Sequence, residues 1–496
     1  MEPLLPTESE RVIPKNSIFG IFHPLDGFHG IEEDELGPFV WTRKRFQIRK
    51  PPTVRFVEVD LCYYGDKGRL SLSGGGGDRR IEIDLHRGWG KYPLDLFPLN
   101  GPDVEFEVDP LIRVQGDSRE LGVMLRLFEP LEDPEQFELV RRRMSNRRLN
   151  VEGFLAGKAI LNSYPPTLRI DIERRCNLNP RCAYCHWDWT KSMEQESPLR
   201  SALDTVAGLD EFLTYAEQIV DCGYGEPLLN PDLPQILDEL NAHRIRLEMT
   251  SNGVLLTPDI RKVLLGRQLT LYVPVDSATE QGYRRYRHAS LNEILNNLRA
   301  LCTEKRDSGG LPHIIVSFIA MSSNLGEFEH FLERMISTGV DAIKIRSLFC
   351  DPEYVDVNDW ASSQGFDYRR ELLDDATLTD FFGRAKALTH NAGMPLACEQ
   401  DFQRDLETSR GPLCTEPWQA LYVLHRGIMH CCFARSPVFT WSQRADKALA
   451  QFLREVWNST ILQEIRTALA ERRLHDSCLN AKDCPIVKKW LMRRAR

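Results

Sequence analysis

No run of 18 apolar residues interrupts the 496-residue chain, so a hydrophobic helix spanning a membrane is not expected. Met1 to Glu10 is acidic and lacks the apolar stretch of a secretory signal, which makes the cytoplasm the expected compartment. Positive charge is not in excess. Lys and Arg number 63 against 72 Asp and Glu, a net charge of −9, and no nucleic-acid partner follows from that balance. Internal repeats and long low-complexity segments are missing. Cysteine is nearly absent from the first third of the chain, where Cys62 alone precedes residue 170.

The thirteen cysteines are instead bunched, three between 176 and 185 and five between 414 and 484. A reducing compartment disfavours structural disulfides, so bunched cysteines point to metal binding or chemistry. The length leaves room for roughly two to four domains.

Residues 1–50 read as a Pro-rich arm with little periodicity. From 51 to 135 apolar residues alternate with period two: Val57, Val59 and Leu61; Ile81, Ile83 and Leu85; Val104, Phe106 and Val108; Val123, Leu125 and Leu127. Turn signals at Gly65-Asp66, Gly74 to Gly77 and Asn100-Gly101-Pro102 separate them, the pattern of a β-sandwich. A charged, helical linker spans 136–162. From 163 to 390 strand-like stretches near 167–173, 217–222, 246–250, 269–275, 313–319 and 341–348 alternate with helical patterns such as 208–217, 233–243, 290–304 and 326–338. Such alternation implies an α/β fold of parallel βα units, in an open sheet or a full or partial barrel. The chemistry then sits at the C-terminal strand ends. Beyond 390 the alternation stops. Residues 391–496 read as a further domain, rich in cysteine and aromatics, with helices at 444–456 and 459–473.

Directly after the first of these βα strands stands Cys176-Asn-Leu-Asn-Pro-Arg-Cys182-Ala-Tyr184-Cys185. Three thiolates on one short loop suit three irons of a cubane cluster and leave the fourth iron open. A structural zinc site usually takes four closed ligands; a zinc knuckle is the competing reading. The loop resembles the signature of the radical S-adenosylmethionine (SAM) superfamily, C-x3-C-x2-C with an aromatic before the last cysteine, although the first gap here is five residues.

Further resemblances follow in the same order. Gly223-Tyr224-Gly225-Glu226-Pro227 is similar to the family's Gly-Gly-Glu motif, with Tyr224 in place of one glycine, and Thr250-Ser251-Asn252-Gly253 resembles its Thr-Asn-Gly turn. Val275-Asp276-Ser277 ends the fourth strand, where the family often contacts ribose, and Tyr283 and Arg287 keep its Tyr…Arg spacing. Singly, each of these would be an ordinary turn or a solvated helix arginine. The resemblance covers roughly residues 165–350. It implies a partial (βα)6 barrel and a catalytic 4Fe–4S cluster on Cys176, Cys182 and Cys185. It also implies SAM contacts from Tyr184, Gly225, Glu226, Ser251, Asn252, Asp276, Ser277 and Arg287. Glu226 would meet the SAM amino group and Arg287 its carboxylate. The implied chemistry is cleavage of SAM to a 5′-deoxyadenosyl radical, with an electron donor such as flavodoxin or ferredoxin.

The later cysteines carry a second resemblance. Cys414-Thr-Glu-Pro-Trp, Gly427 four residues before Cys431-Cys432, and Trp457-Asn-Ser with Arg466 ahead of Cys478 and Cys484 are similar to the SPASM/twitch extension of radical SAM enzymes. There are too few cysteines for two further clusters. The resemblance therefore implies one auxiliary 4Fe–4S cluster on Cys414, Cys432, Cys478 and Cys484, with Cys431 as substitute for Cys432. A structural zinc site on the same cysteines is the alternative.

Substrate chemistry is expected near the strand ends. Cys350, after the sixth strand, and Cys222, on the second, are candidate hydrogen-atom donors; a buried Cys is more often just a small hydrophobe. Arg346 and Lys344 alternate with apolar residues on the sixth strand and suit a carboxylate or sugar oxygens. Asp171, Glu173, His186 and Asp188 flank the cluster loop as possible bases or substrate contacts. Trp89, on the N-terminal sandwich, offers an aromatic for stacking on sugar, or else belongs to the core. The first expectation is an epimerase acting on a small-molecule or glycan substrate, a sugar or glycosylated natural product. The alternatives are a dehydrogenase of a sugar alcohol, a peptide-modifying enzyme, and a non-catalytic zinc-binding sugar-recognition protein.

Overall fold

The computed structural model describes residues 18–19, 21–34, 37–74, 79–113, 117–185, 201–223, 225–348, 359–398, 411–431, 436–444, 446–481, 484 and 486–487. They form two compact units that divide between Met144 and Ser145.

The first unit is built from β1 (His23–Asp34), β2 (Gly37–Arg49), β3 (Phe56–Gly74), β4 (Arg80–Asp95), β5 (Asp103–Asp109) and β6 (Met124–Leu131). The order is β1-β2-β5-β3-β4, and β6 pairs with both β2 and β3. Two packed sheets were expected; one closed antiparallel barrel is found. The reason is strand length. β2 gives residues 45–49 to β5 and 40–41 to β6, while β3 gives 69–74 to β5 and 56–62 to β6. The circuit β2-β5-β3-β6 therefore closes, and closure removes exposed edges within it. The segment 1–50, read as an arm, contributes β1 and β2. The run Arg43-Lys44-Arg45 hides an alternation in which Phe46 and Ile48 are buried. Phe46 stacks on Phe106 with ring centres 4.6 Å apart. The Arg126 guanidinium lies 4.1 Å from the Trp89 ring centre, so a cation covers one face of the aromatic proposed for sugar stacking.

The second unit holds β7 (Thr167–Ile170), β8 (Gln218–Asp221), β9 (Arg246–Thr250), β10 (Leu269–Pro274), β11 (His313–Ala320), β12 (Ala342–Ser347), β13 (Leu396–Cys398), β14 (Ala420–Leu424) and β15 (Gly427–Met429). They form one sheet in the order β13-β12-β11-β10-β9-β8-β7-β14-β15. Every neighbouring pair is parallel except the hairpin β14-β15. The six βα strands read from the sequence are all present. The stretch beyond 390 also enters this sheet, β13 at one edge and β14-β15 at the other. The helix expected over 208–217 is two short ones, Ala202–Ala207 and Asp210–Leu213, with Gly208 ending the first.

Side chains alternate along the strands. Leu168, Ile170, Ile219, Leu247, Met249, Leu271, Val273, Val316, Phe318, Ile343 and Ile345 join one core with helices such as Leu291–Glu304 and Phe328–Thr338. The opposite face carries Arg169, Glu248, Tyr272, Ser317, Lys344 and Arg346. Parallel sheets are normally apolar on both faces, so a polar face marks a place where something polar binds. Among the described residues no helix is long and apolar enough to cross a membrane.

Candidate active site

The chain leaves β7 into the loop that carries Cys176, Cys182 and Cys185. Aromatic residues from later in the chain fix its course. The Ala183 amide donates to the Tyr286 carbonyl (2.8 Å), Trp360 Nε1 to the Cys182 carbonyl (3.0 Å), and the Tyr368 hydroxyl to the Tyr184 carbonyl (2.7 Å). Burial pushes the Cys176 and Cys182 thiols up; each also feels nearby negative charge, Cys176 from Cys182 and Glu226, and Cys182 from Asp276. Two polar groups oppose this. Arg287 Nη1 lies 3.8 Å from Cys182 Sγ, and Asn252 Nδ2 lies 4.0 Å from Cys176 Sγ. A guanidinium and an amide aimed at sulfur favour the thiolate, the form that ligates metal.

Arg287 is itself aimed by a buried carboxylate. Asp276 Oδ1 accepts from the Ile319 amide (2.9 Å), and Oδ2 accepts from Arg287 Nε (2.7 Å) and from the Tyr184 hydroxyl. Desolvation works against the guanidinium, yet Asp276 and its neighbours hold Arg287 well above the ordinary range. Both oxygens of Asp276 are thus engaged, and its geometry suits orienting Arg287 and Tyr184 rather than meeting a ribose. Ser277 is turned away too, its hydroxyl donating to Glu327 (2.6 Å).

Glu226 and Asn252 form the next layer. Glu226 Oε2 accepts from the Asn252 amide (2.7 Å) and Oε1 from the Leu228 amide (3.2 Å). Burial raises Glu226 to about 7, against the pull of Asn252, Ser251 and Leu228. Ser251 Oγ accepts from the Gly253 amide (3.0 Å), and Gly253 takes the left-handed φ of +78° that this turn needs. Gly225 is required for a different reason. A Cβ there would sit 2.4 Å from the Glu173 carbonyl and 2.6 Å from that of Arg175, so only glycine lets the two loops touch. Tyr224 lies outside the described residues.

Sequence reading missed a carboxylate that ties these loops together. Asp221 Oδ1 accepts from both the Ile172 amide (3.0 Å) and the Gly223 amide (2.9 Å). Burial raises Asp221 to about 8, and Asp171 and Glu226 add repulsion. A charge inside a four-residue strand was the available signal. His425, also missed, places Nδ1 2.7 Å from Asp171 Oδ2 at the end of β14. Asp171 and His425 line a cavity of about 270 Å³ with Glu173, Arg175, Asn230 and Asp232.

The sequence model of the radical SAM superfamily matches residues 170–335, the stretch that supplies all but the most distant of these contacts. Over that stretch the chain is similar to the radical SAM superfamily. Relatives include a probable GTP 3′,8-cyclase of Methanococcus aeolicus, 26% identical over 191 residues, 37% of this chain and 60% of that protein. Another is a probable GTP 3′,8-cyclase of Sulfurisphaera tokodaii, 26% identical over 36% of this chain and 55% of that protein. The chain thus spans about three-fifths or less of the curated relatives it matches. Among solved structures, Streptococcus suis SuiB bound to its precursor peptide SuiA aligns with a TM-score of 0.49 and 14% identity, covering 76% of this chain and 79% of that one.

Among the described residues, no three Cys, His, Asp or Glu side chains converge as ligands of a single metal ion. Sulfurs on one zinc would stand about 4 Å apart, given bonds of about 2.3 Å. A four-iron core needs wider spacing. A donor set of three thiols, with an amide and a guanidinium directed at two of them, fits such a core.

The second cysteine set is also gathered from distant segments. Burial drives the Cys414 thiol well above its ordinary range, with Glu416, Cys484 and Cys431 adding to the effect, and Cys478 rises to about 11 through burial and Cys484. Cys432 lies outside the described residues, as do Cys350, His186 and Asp188.

The remaining candidates sit on the polar face of the sheet. Arg346 is exposed, and Lys344 Nζ lies 5.3 Å from the Tyr272 ring centre. Cys222 packs with Ala420, Tyr422, Met429 and Cys431, 3.9 Å from Arg169 Nη1. Burial raises its thiol to about 12.

Proposed function

We propose that Cys176, Cys182 and Cys185 hold a 4Fe–4S cluster and that Glu226, Asn252 and Arg287 position SAM beside it. The observation that carries this reading is the pair of donors, Arg287 and Asn252, turned onto Cys182 and Cys176. The chemistry supplied by a cluster with one open iron is one-electron cleavage of SAM to methionine and a 5′-deoxyadenosyl radical, which takes hydrogen from a C–H bond. The protein's own part is to present carboxylate and amide acceptors to the SAM amino group, a guanidinium to its carboxylate, and a polar sheet face to the substrate.

We further propose that the reaction inverts a carbon of a hydroxyl-rich small molecule, a sugar or glycosylated product. Cys222 supports this. A thiol held at about 12 stays protonated at neutral pH, as a hydrogen-atom donor must. The substrate C–H loses hydrogen to form 5′-deoxyadenosine. The resulting carbon radical takes hydrogen from Cys222 on its other face, and one electron and one proton from an external donor restore the thiyl to thiol. Arg346 and Lys344 are the proposed substrate contacts. Dehydrogenation of an alcohol is the second reading, favoured by the Asp171–His425 pair, which offers a base beside the cluster loop.

Anaerobically reconstituted protein, assayed in D2O against a panel of sugars and nucleotide sugars, tests both readings. Epimerisation predicts 5′-deoxyadenosine together with one solvent deuterium at the inverted carbon. Cys222→Ala should keep 5′-deoxyadenosine formation and lose the deuterium. An oxidised product without deuterium would favour dehydrogenation, and absence of 5′-deoxyadenosine with any substrate would overturn the scheme.

A further inference from the structure

Residues 359–371 grip the cysteine loop from outside. They hold two short helices, Asp359–Ser363 and Tyr368–Glu371. Their buried apolar side chains stay apart from the large core of the second unit. Ala361, Phe366 and Tyr368 form a separate cluster with Ala183 of the loop, Tyr286, Met321 and Leu348. Trp360 and Tyr368 supply the bonds to the Cys182 and Tyr184 carbonyls, and the Phe366 ring centre lies 5.4 Å from that of Tyr184. The Cys182 carbonyl also accepts from the Cys185 amide (3.0 Å), so the grip extends to the third cysteine. With Tyr286 holding the Ala183 amide, three consecutive residues, 182 to 184, are fixed by groups outside the loop.

Glu371 is what ties this grip down. It is buried, and its Oε2 accepts from both the Ser323 amide (3.0 Å) and the Ser323 hydroxyl (2.6 Å). Its carbonyl accepts from the Ser322 amide (3.0 Å). The Ser323 and Tyr286 hydroxyls lie 2.5 Å apart. Both arms on the loop therefore end at one carboxyl group. Tyr368 stands on the same helical turn as Glu371, and Tyr286 is one hydroxyl away from it. Asn324, next to Ser323, donates Nδ2 to the Asp276 carbonyl (2.9 Å), so the same turn also steadies the residue that aims Arg287 at Cys182. We infer that Glu371 is a positioning residue of the cysteine loop, holding residues 182–184 through Ser323, Tyr286 and Tyr368 so that the loop presents its thiols in one arrangement. The inference rests on the reading that this loop carries the cluster to which SAM binds. The role calls for an oxygen acceptor and not for a charge, because both side-chain donors are neutral. Removing a group one layer behind metal ligands costs about 10–100-fold in affinity or activity.

The test uses the full chain, reconstituted anaerobically with iron and sulfide, reduced with dithionite and titrated with SAM. SAM can ligate only a cluster with an open iron, so the SAM-dependent change in the electron paramagnetic resonance spectrum reports this loop even when other cysteines are loaded. The SAM concentration at half of that change is compared among the parent, Glu371→Gln, Glu371→Ala and Ser323→Ala, beside iron content and the urea midpoint. Glu371→Gln keeps the oxygen acceptor and should match the parent. Glu371→Ala should raise the half-point about tenfold, and Ser323→Ala should move it the same way. Loss of iron from Glu371→Ala with an unchanged circular dichroism spectrum also supports the inference. A loaded Glu371→Ala that binds SAM as the parent does would overturn it even if its urea midpoint fell, because a group that serves the fold alone lowers the midpoint and leaves the SAM response as it was. Glu371→Gln as weak as Glu371→Ala would overturn it too. Should Glu371→Ala fail to fold, Ser323→Ala decides: a raised half-point supports the inference and an unchanged one overturns it. A parent that takes up no iron, or whose spectrum ignores SAM, would overturn the cluster reading itself and the inference with it.

Discussion

Replacing Asp221 by Asn removes a charge while keeping the bonds that charge makes. Both backbone donors, from Ile172 and Gly223, point at Oδ1, so the amide oxygen of Asn retains them. The carboxylate is raised to about 8 by burial, with Asp171 and Glu226 adding to the rise, from an ordinary 3.8. Below pH 3.8 the group is protonated whether folded or unfolded. Above about 8 it is ionised in both. Between the two, the folded chain holds a proton that the unfolded chain has released. Stability is therefore fully present at the acid end and is lost as pH rises toward 8, by about 1.4 kcal/mol per pH unit. Over pH 6 to 8 the loss comes to about 2 kcal/mol once the flattening near the folded pKa is included. Asp221 keeps some contact with water, which makes that figure a ceiling. Urea denaturation of the metal-free chain and of Asp221→Asn at pH 6, 7 and 8 measures it. The variant should be the more stable at pH 8, with an advantage that shrinks toward pH 6. A variant less stable than the parent at pH 8, or a gap that does not change with pH, would refute the reasoning.

Arg287→Met leaves Asp276 wholly buried with its cation gone and should cost about 3–5 kcal/mol in thermal or urea unfolding, partly recovered by adding Asp276→Asn. Cys176→Ala, Cys182→Ala and Cys185→Ala should each lose the part of the iron–sulfur absorbance that the 176–185 loop contributes, together with 5′-deoxyadenosine formation, with secondary structure by circular dichroism kept; a variant that retains turnover would remove that thiol from the ligand set. Glu226, at about 7, should lose its ability to accept from the SAM amino group as pH falls, so SAM affinity by calorimetry should drop nearly tenfold per unit below pH 6.5. In Glu226→Gln the affinity should be low throughout, and a pH-independent wild type would sink that role. Trp360→Phe removes one bond to the Cys182 carbonyl and should cost about 1 kcal/mol, with slower cluster uptake as the functional readout.

What could be read in advance follows from how local each signal is. The strands β7 to β12 were legible because each is a short apolar run between helical patterns. The cysteine loop, Glu226, Asn252 and Arg287 were legible because each motif is complete within a few residues. The closed barrel of the first unit was not. Its closure depends on β2 and β3 each being shared between two partners far apart in sequence, and no periodicity encodes a shared strand. The edge strands β13 and β15 are three residues long, too short for a pattern. Within the site, the aromatic clamps on the loop, Trp360 and Tyr368, stand 178 and 184 residues from the atoms they hold. Asp276 was placed correctly at a strand end, but its role depends on Ile319 from β11 and Arg287 from a later helix. That convergence exists only after folding.

Those contacts also make the site costly for the bare chain. Cys176, Cys182, Cys222, Asp221 and Glu226 all sit where burial raises their pKa, so each resists becoming an anion. Of these, only Cys222 is proposed to act in its neutral form, and only there does burial work directly for function. For Cys176 and Cys182, Arg287 and Asn252 already point at sulfur and supply part of the opposing field; iron held there would supply the rest. For Glu226 the opposing charge must come from a ligand, and SAM carries a sulfonium and an amino group. A site that is strained when empty and relieved when filled binds by releasing its own repulsion. A ligand at 100 times its Kd adds about 2.7 kcal/mol of stability. The strain at Glu226 alone, some 2.5 pKa units, is of that same order, about 3 kcal/mol. Loading with iron and then with SAM should therefore raise stability in two separable steps, the second steeper at pH 8 than at pH 6.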